Sequence, residues 1–422
     1  MSTPGLCHPP PGTRALLACL LALALLLAGC AQSPSATPSP PGALAYYWSS
    51  LRGHWALLQA ARPVSDWLAD PATPAALRTR LALAQHMRDF ASARLHLPDN
   101  ASYRSYAELP RRAAVWNVVA APPDALTLHQ WCFPITGCIG YRGYFNEADA
   151  QAEAAHLAAQ GLEVAVYGVP AYSTLGYLNW LGGDPLLSTF IHASEGDLVR
   201  LLLHELAHQV LYAQGDTAFN ESFATTVERL GTALWLQEHA SAATRAQDQL
   251  QQAQRQQWRA LTQATRARLA EIYAQKTAAT PNQQSQTAMK KEAMKDFRRA
   301  YAVLRAQWQA AHPSQDLRGY DQWVAQANNA RFATQAAYDT WVPALEALFQ
   351  QHGGDWRQFY AAARQLAALP TKQRQQALCA LHPQPGGGIG VWVCAVMLTH
   401  HDVLESKHYL IATRESCHAH HH

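Results

Sequence analysis

His204 and His208 stand four residues apart, with Glu205 directly after the first, in the run His204-Glu205-Leu206-Ala207-His208. On an α-helix residues four apart share a face, so both imidazoles can aim a ring nitrogen at one metal ion. Neutral imidazoles suit Zn2+, and a catalytic zinc keeps three protein ligands and one open position. Glu205 sits beside that face, within reach of a water at the open position but not itself a ligand. That arrangement can run metal-assisted hydrolysis, with Glu205 as the general base and acid.

A third ligand has to come from elsewhere in the chain. In the longer pattern H-E-x-x-H-x-x-G-x-x-H it would be a histidine at position 214, but the chain has Gln214 there and Leu211 at the glycine position. The better candidate is Glu221, thirteen residues past His208 in Asn220-Glu221-Ser222-Phe223-Ala224. Glu228, two turns further on the same face, is the second candidate and Asp216 the third. Thr225, one turn from Glu221, is placed to support that carboxylate.

The elements that must hold these groups can be read from the same stretch. Leu198–Leu211 is apolar apart from Arg200, the motif residues and Gln209, which predicts a buried helix whose polar residues need a reason to be there. Ser194 and Asp197 form a capping-box-like start, and Gly215 a stop. A turn at Gly215-Asp216 folds the chain back, and Asn220 is expected to cap a second helix that Glu221 begins.

The run HELAHQVLYAQGDTAFNESFATTVERLG, with PDNASYRSYAELP, WCFPITGCIGYRGYF and GVPAYSTLGYL upstream, resembles a family of bacterial lipoproteins described as predicted aminopeptidases. The resemblance covers the chain from about Tyr46 to Leu369. It implies a zinc peptidase acting on peptides, with His204, His208 and Glu221 as ligands and Glu205 as acid/base, as in gluzincins. It also implies a zincin-like core. Because gluzincins often use a Tyr or His to hold the oxyanion of the tetrahedral intermediate, Tyr338 is the candidate for that role. Asn328 and Asn329 are candidates for positioning substrate. By position, Tyr172–Tyr177 is the candidate edge segment for pairing with an extended peptide.

The N-terminal segment fits this picture. Residues 1–29 have Arg14 as the positive region and Ala15–Leu27 as the apolar stretch of a secretory leader, too short to span a membrane as a helix. Leu27-Ala28-Gly29-Cys30 looks like a lipobox, which implies cleavage before Cys30 and lipidation of its thiol. Ala31 after it implies sorting to the periplasmic face of the outer membrane. Residues 30–42, rich in Ser and Pro, read as a disordered tether.

Composition sets the outer limits. The 422 residues are 49% hydrophobic and 15% charged, with a net charge of +3 that falls to +2 once Arg14 leaves with the leader. No basic tract or aromatic-interleaved patch suggests a nucleic-acid partner. The expected fold class is α+β and mainly helical, with a small β-sheet and a long helical hairpin. Residues 43–235 should hold N-terminal helices, the sheet and the motif helices, residues 236–312 the hairpin, and residues 313–422 a helical region that completes the catalytic domain. Tyr46, Tyr47, Leu51, Trp55, Leu58 and Ala61 are expected to pack on one helical face, and Pro63 to break that helix. Ala113–Ala121 and Leu162–Val169 read as strands, with a helix over Asn146–Gln160 between them. Cys132 and Cys138 are expected to form a disulfide. Cys379 and Cys394 are a second candidate pair, which leaves Cys417 over. Gly386–Gly390 lacks the Lys-Ser/Thr of a P-loop, and the terminal His418 and His420–His422 carry no functional reading. The competing reading is a membrane-tethered binding or envelope-assembly lipoprotein with a structural or vestigial metal site.

Overall fold

The first helix, α1 (Ala43–Ala60), runs into a three-residue strand, β1 (Ala61–Pro63), where an uninterrupted helical region was expected up to Pro63. Proline fixes its own φ and disfavours helix in the residue before it, so the chain extends here and β1 pairs antiparallel with β2 (Ser105–Ala107). Between them lie α2 (Val64–Ala69) and α3 (Ala75–Leu95). The computed structural model describes residues 42–133, 137–171, 182–274 and 283–381. Met1–Pro40 and Pro41–His422 separate as two units, and the described residues all belong to the second.

The face of α1 expected to pack is divided. Tyr46 and Leu57 turn inward, while Tyr47, Leu51 and Trp55 are exposed. Gly53 explains the choice of side. The Phe145 ring lies so close that an added Cβ would come within 2.2 Å of it, so the helix can approach only through this residue.

The principal sheet is β3 (Val115–Ala121), flanked by β6 (Arg142–Tyr144) and β7 (Glu163–Val169), both antiparallel to it. A two-stranded hairpin, β4 (Trp131–Phe133) with β5 (Gly137–Ile139), precedes β6, and the expected Cys132–Cys138 disulfide ties its facing residues. α4 (Glu147–Ala159), capped by Asn146, covers one face of the principal sheet through Val118, Ala120, Ala150 and Leu157. The other face presents Val119, Ala121 and Ala165, with Tyr141 and Tyr167 packed alongside. Parallel to β2 runs β8 (Leu186–Leu187), completing a second small sheet.

The remaining chain is helical, so the fold is α+β with helix dominating. α5 (Glu195–Ala207) and α6 (Thr217–His239) carry the motif residues. α7 (Ala242–Ala274) and α8 (Gln283–Ala311) form the expected hairpin, and the break read at Thr280-Pro281-Asn282 lies outside the described residues. An aromatic core of Trp258, Phe297, Tyr301 and Trp308 fills its seam and extends to Phe332. α9 (Arg318–Ala325), α10 (Asn329–Asp339), α11 (Val342–Gln351), α12 (Trp356–Ala368) and α13 (Thr371–Leu381) follow. α10 lies between the principal sheet, which it meets through Ala330, and α6. Cys379 is disulfide-bonded; its expected partner, Cys394, lies outside the described residues.

Candidate metal centre

The start of α5 is as its sequence requires. Ser194 Oγ accepts from the Asp197 backbone N–H at 3.2 Å, which satisfies one of the free donors of the first turn. Leu198, Leu202, Leu203 and Leu206 are fully buried and set the roll of the helix. The helix ends earlier than Gly215 predicts: Ala207 is its last residue and His208 its C-cap. His208 keeps helical dihedrals there (φ −58°, ψ −22°), so the four-residue spacing to His204 still places both rings on one side.

The return helix is set differently from the expectation. Asp216, not Asn220, caps α6, its Oδ1 accepting from Phe219 N–H at 3.0 Å. Its Oδ2 accepts from the buried Arg374 Nε at 2.9 Å, so Asp216 is not available to a metal. Gly215 makes the turn possible with a left-handed φ of +75°. Asn220 lies inside the helix, where its amide donates to Ala213 O and accepts from Ala213 N–H, both at 2.8 Å. This two-point clamp on the backbone fixes the fold-back one residue before Glu221. Further along, an added Cβ on Gly231 would come within 2.7 Å of Leu203, so α6 can lie close against α5 only through that glycine.

The result is a convergence of three groups. His204 Nε2 and His208 Nε2 are 3.3 Å apart, and Glu221 Oε2 lies 3.3 Å from the first and 3.8 Å from the second. Among the described residues these three form the single cluster of three or more His, Cys, Asp or Glu side chains able to hold a metal. A tetrahedral ion bonded at 2.0–2.2 Å to imidazole nitrogen and carboxylate oxygen separates its ligands by roughly 3.3–3.5 Å. The spacings match that figure within a few tenths of an ångström. Two imidazoles and one carboxylate are also a donor set that suits zinc better than the hard, all-oxygen cations. The residues therefore fit the ion that the motif implies.

The electrostatics point the same way. Burial lowers the His204 pKa, but hydrogen bonds and charge from Glu221 and Glu228 outweigh it and raise it well above the usual histidine range. His208, buried with less compensation from Glu221 and repelled by His204, is pushed down to about 4. Burial raises Glu221, yet the two histidines bring it net below the ordinary carboxylate range. A metal held by His204 Nε2 would compete with a proton on that nitrogen.

Glu228 does not join the cluster, correcting its reading as an alternative ligand. Its Oε2 lies 3.1 Å from Nδ1 of His204, the ring nitrogen that faces away from the other two groups. Accepting the Nδ1 proton leaves the Nε2 lone pair for a metal. Among the described residues His208 has no equivalent, since its buried Nδ1 finds no hydrogen-bond partner there. Glu228→Ala is therefore expected to weaken zinc affinity by about 10–100-fold, read by competition with a chelating dye. An unchanged affinity would mean the carboxylate does not orient the ring. Thr225, buried one turn past Glu221, makes no hydrogen bond to the three ligands among the described residues.

Glu205, half-buried, follows His204 on α5. It and Glu221 act electrostatically on Tyr141, whose hydroxyl is held far above its ordinary pKa by burial first and then by Glu221, Tyr212, Tyr167 and Glu205. Tyr167 is likewise raised by burial and feels Glu221, while its hydroxyl bonds Asn117 across the strand pair. Both tyrosines pack on the face of the principal sheet that α10 covers. The sequence reading missed them in this role; the signal available was Tyr141 inside the Tyr141-Arg142-Gly143-Tyr144 run. Tyr338 falls in the last turn of α10, and its side chain lies outside the described residues.

Asn328 and Asn329 are taken up structurally. Asn328 caps α10 and donates to Val164 O, and Asn329 donates to Pro122 O and Ala125 O. Together they tie α10 to the sheet. The motif-bearing loops brace the centre too. Asn100 donates to Gln209, the residue after His208, at 2.8 Å, and Gln209 donates to Ser102 Oγ. Gly137 of the disulfide hairpin rests on the Gln214-Gly215 turn, where a Cβ would lie 3.0 Å from Gly215 N. The candidate peptide-binding segment Tyr172–Tyr177 lies outside the described residues.

A family model described as "Putative aminopeptidase" matches residues 45–378. No curated protein and no solved structure matches the chain.

Proposed function

Because the chain belongs to the Putative aminopeptidase family, we propose that it is a zinc peptidase that removes residues from peptide N-termini. The observation that carries the metal part is the meeting of His204 Nε2, His208 Nε2 and Glu221 Oε2 at tetrahedral-edge spacings. His204, His208 and Glu221 hold the ion, and Glu228 fixes the tautomer of His204. When bound, zinc lowers the pKa of a coordinated water and polarises a carbonyl oxygen. Glu205 takes the proton of the attacking water and hands it to the leaving amine nitrogen. Tyr141, kept as a neutral phenol by burial and by the charges of Glu221 and Glu205, would be a donor suited to the carbonyl oxygen as negative charge grows on it. A centre of three protein ligands leaves a position for water, whereas a structural site closes with four; this favours catalysis over a structural role. The leader and the Leu27–Cys30 lipobox support export, acylation of Cys30 and residence on the periplasmic face of the outer membrane.

Aminopeptidase action needs an acid for the free α-amine. Glu195 accepts from Trp235 Nε1 at 3.0 Å and Asp216 is held by Arg374, so neither is spare. Digestion of a peptide library in N-free and N-acetylated forms tests the reading. The expected outcome is stepwise loss of N-terminal residues from the free peptides, no cleavage of the acetylated ones, and one zinc per chain by metal analysis. Internal cleavage of acetylated peptides would make it an endopeptidase. No cleavage of either by the zinc-loaded chain would remove the peptidase reading.

A further inference from the structure

Among the described residues, four of the six exposed large apolar side chains lie on α1, outside the core and unexplained by the metal cluster. Tyr47, Trp48, Leu51 and Trp55 are 46%, 63%, 63% and 55% exposed, unlike the inward Leu57 at 2%. At 3.6 residues per turn they fall within an arc of about 100°, and the first and last are roughly 12 Å apart along the axis. Two tryptophans, a tyrosine and a leucine side by side in water form a contiguous patch, which marks an interaction surface.

The charge around the patch narrows the partner. Arg52 is exposed about 40° beyond that arc, and no acidic residue occurs in the chain before Asp66. Among the described residues no helix is long and apolar enough to cross a membrane. Rings with an apolar body and a polar edge, flanked by a cation, fit the headgroup–acyl boundary of a bilayer. The position of the patch also points there. The twelve residues Ala31–Gly42 join Cys30 to α1. We infer that α1 lies on an anionic phospholipid surface through Tyr47, Trp48, Leu51 and Trp55, a second membrane contact besides the anchor. The placement rests on the reading of Cys30 as an acylated residue; the chemistry of the face does not.

The test uses the mature chain, with its N-terminus and acylation read by mass spectrometry, bound to phosphatidylethanolamine–phosphatidylglycerol vesicles whose acyl chains carry bromine. Bromine quenches tryptophan emission only within the bilayer. Quenching is expected in the native chain and should fall at least fivefold in Trp48→Phe/Trp55→Phe, which keeps the face apolar and removes two of the 13 tryptophans. Tyr47→Glu/Leu51→Glu keeps both reporters and is expected to lose the quenching while peptidase activity stays unchanged. Absent quenching in the native chain, or quenching that survives in either variant, overturns the inference. So does a native dimer in vesicle-free solution that the glutamates dissociate, since the face would then meet a second copy. An acylated Cys30 without quenching sinks this inference alone. Quenching without acylation sinks the anchor reading and leaves this one standing.

Discussion

Glu205→Gln is expected to keep its zinc and lose its chemistry. The amide is close in shape to the carboxylate, and Glu205 is not one of the three converging groups, so metal content should stay at one ion per chain. On the proposed mechanism, what disappears is the base that accepts the proton of the attacking water. General acid–base assistance is worth about 10²–10⁴-fold, or roughly 3–5 kcal/mol of barrier at 1.36 kcal/mol per tenfold. The fall should appear in kcat, with KM little changed, because the lost interaction is made only in the transition state. Metal analysis beside steady-state kinetics on an N-free peptide checks both halves. A zinc-loaded Glu205→Gln chain with near-native kcat would show that the base lies elsewhere, and Glu205 would become an ordinary helix acid.

The three-residue cluster is legible in the sequence to the degree that its geometry is local. His204 and His208 lie one helical turn apart, so their convergence follows from the pitch of α5. Glu221 is legible as a carboxylate on the helix that returns after the Gly215-Asp216 turn. The devices that bring it back were only partly legible. Asp216 and Asn220 are both good capping residues; the sequence favours Asn220, and the structure uses Asp216. The deciding contact, between Asp216 and Arg374, spans 158 residues and has no trace in local propensity. Glu228 could be placed on the ligand face, but which atom of His204 it meets depends on the packing of α5 against α6. Tyr141 and Tyr167 were hidden for the same reason. They pack against the principal sheet and feel the charge of Glu221 across a sequence separation that no periodic pattern records.

The α1 face failed in an instructive way. Apolar residues at helical spacing are core far more often than not, and Tyr47, Leu51 and Trp55 obey that spacing. The sequence also offers Tyr46, His54 and Leu57 on a competing face. The Phe145 ring fits only over Gly53, and the Arg142 guanidinium stacks on the Tyr46 ring at 4.0 Å. Those two long-range contacts choose the buried side. The two helix-packed faces of the principal sheet show the converse. Alternation along β3 predicts two lined faces, and α4 and α10 each take one.

Glu221→Ala is expected to undo the centre itself. With the carboxylate gone, two imidazoles at 3.3 Å spacing remain, and a two-ligand site does not hold a divalent ion against water and competing chelators. Affinity should fall by more than the roughly 10–100-fold expected for Glu228→Ala, because a ligand is removed and not its support. Activity should fall with occupancy. Thermal unfolding gives a readout that needs no substrate. An ion bound to the folded chain alone adds about 2.7 kcal/mol of stability at one hundred times its Kd, so added zinc should raise the Tm of the native chain and of Glu205→Gln. Glu221→Ala should show no rise at the same concentration, and Glu228→Ala a smaller one. That ordering separates ligand, supporting carboxylate and catalytic base by metal response alone. A Glu221→Ala chain that keeps a full zinc-dependent rise in Tm would show that another group completes the site.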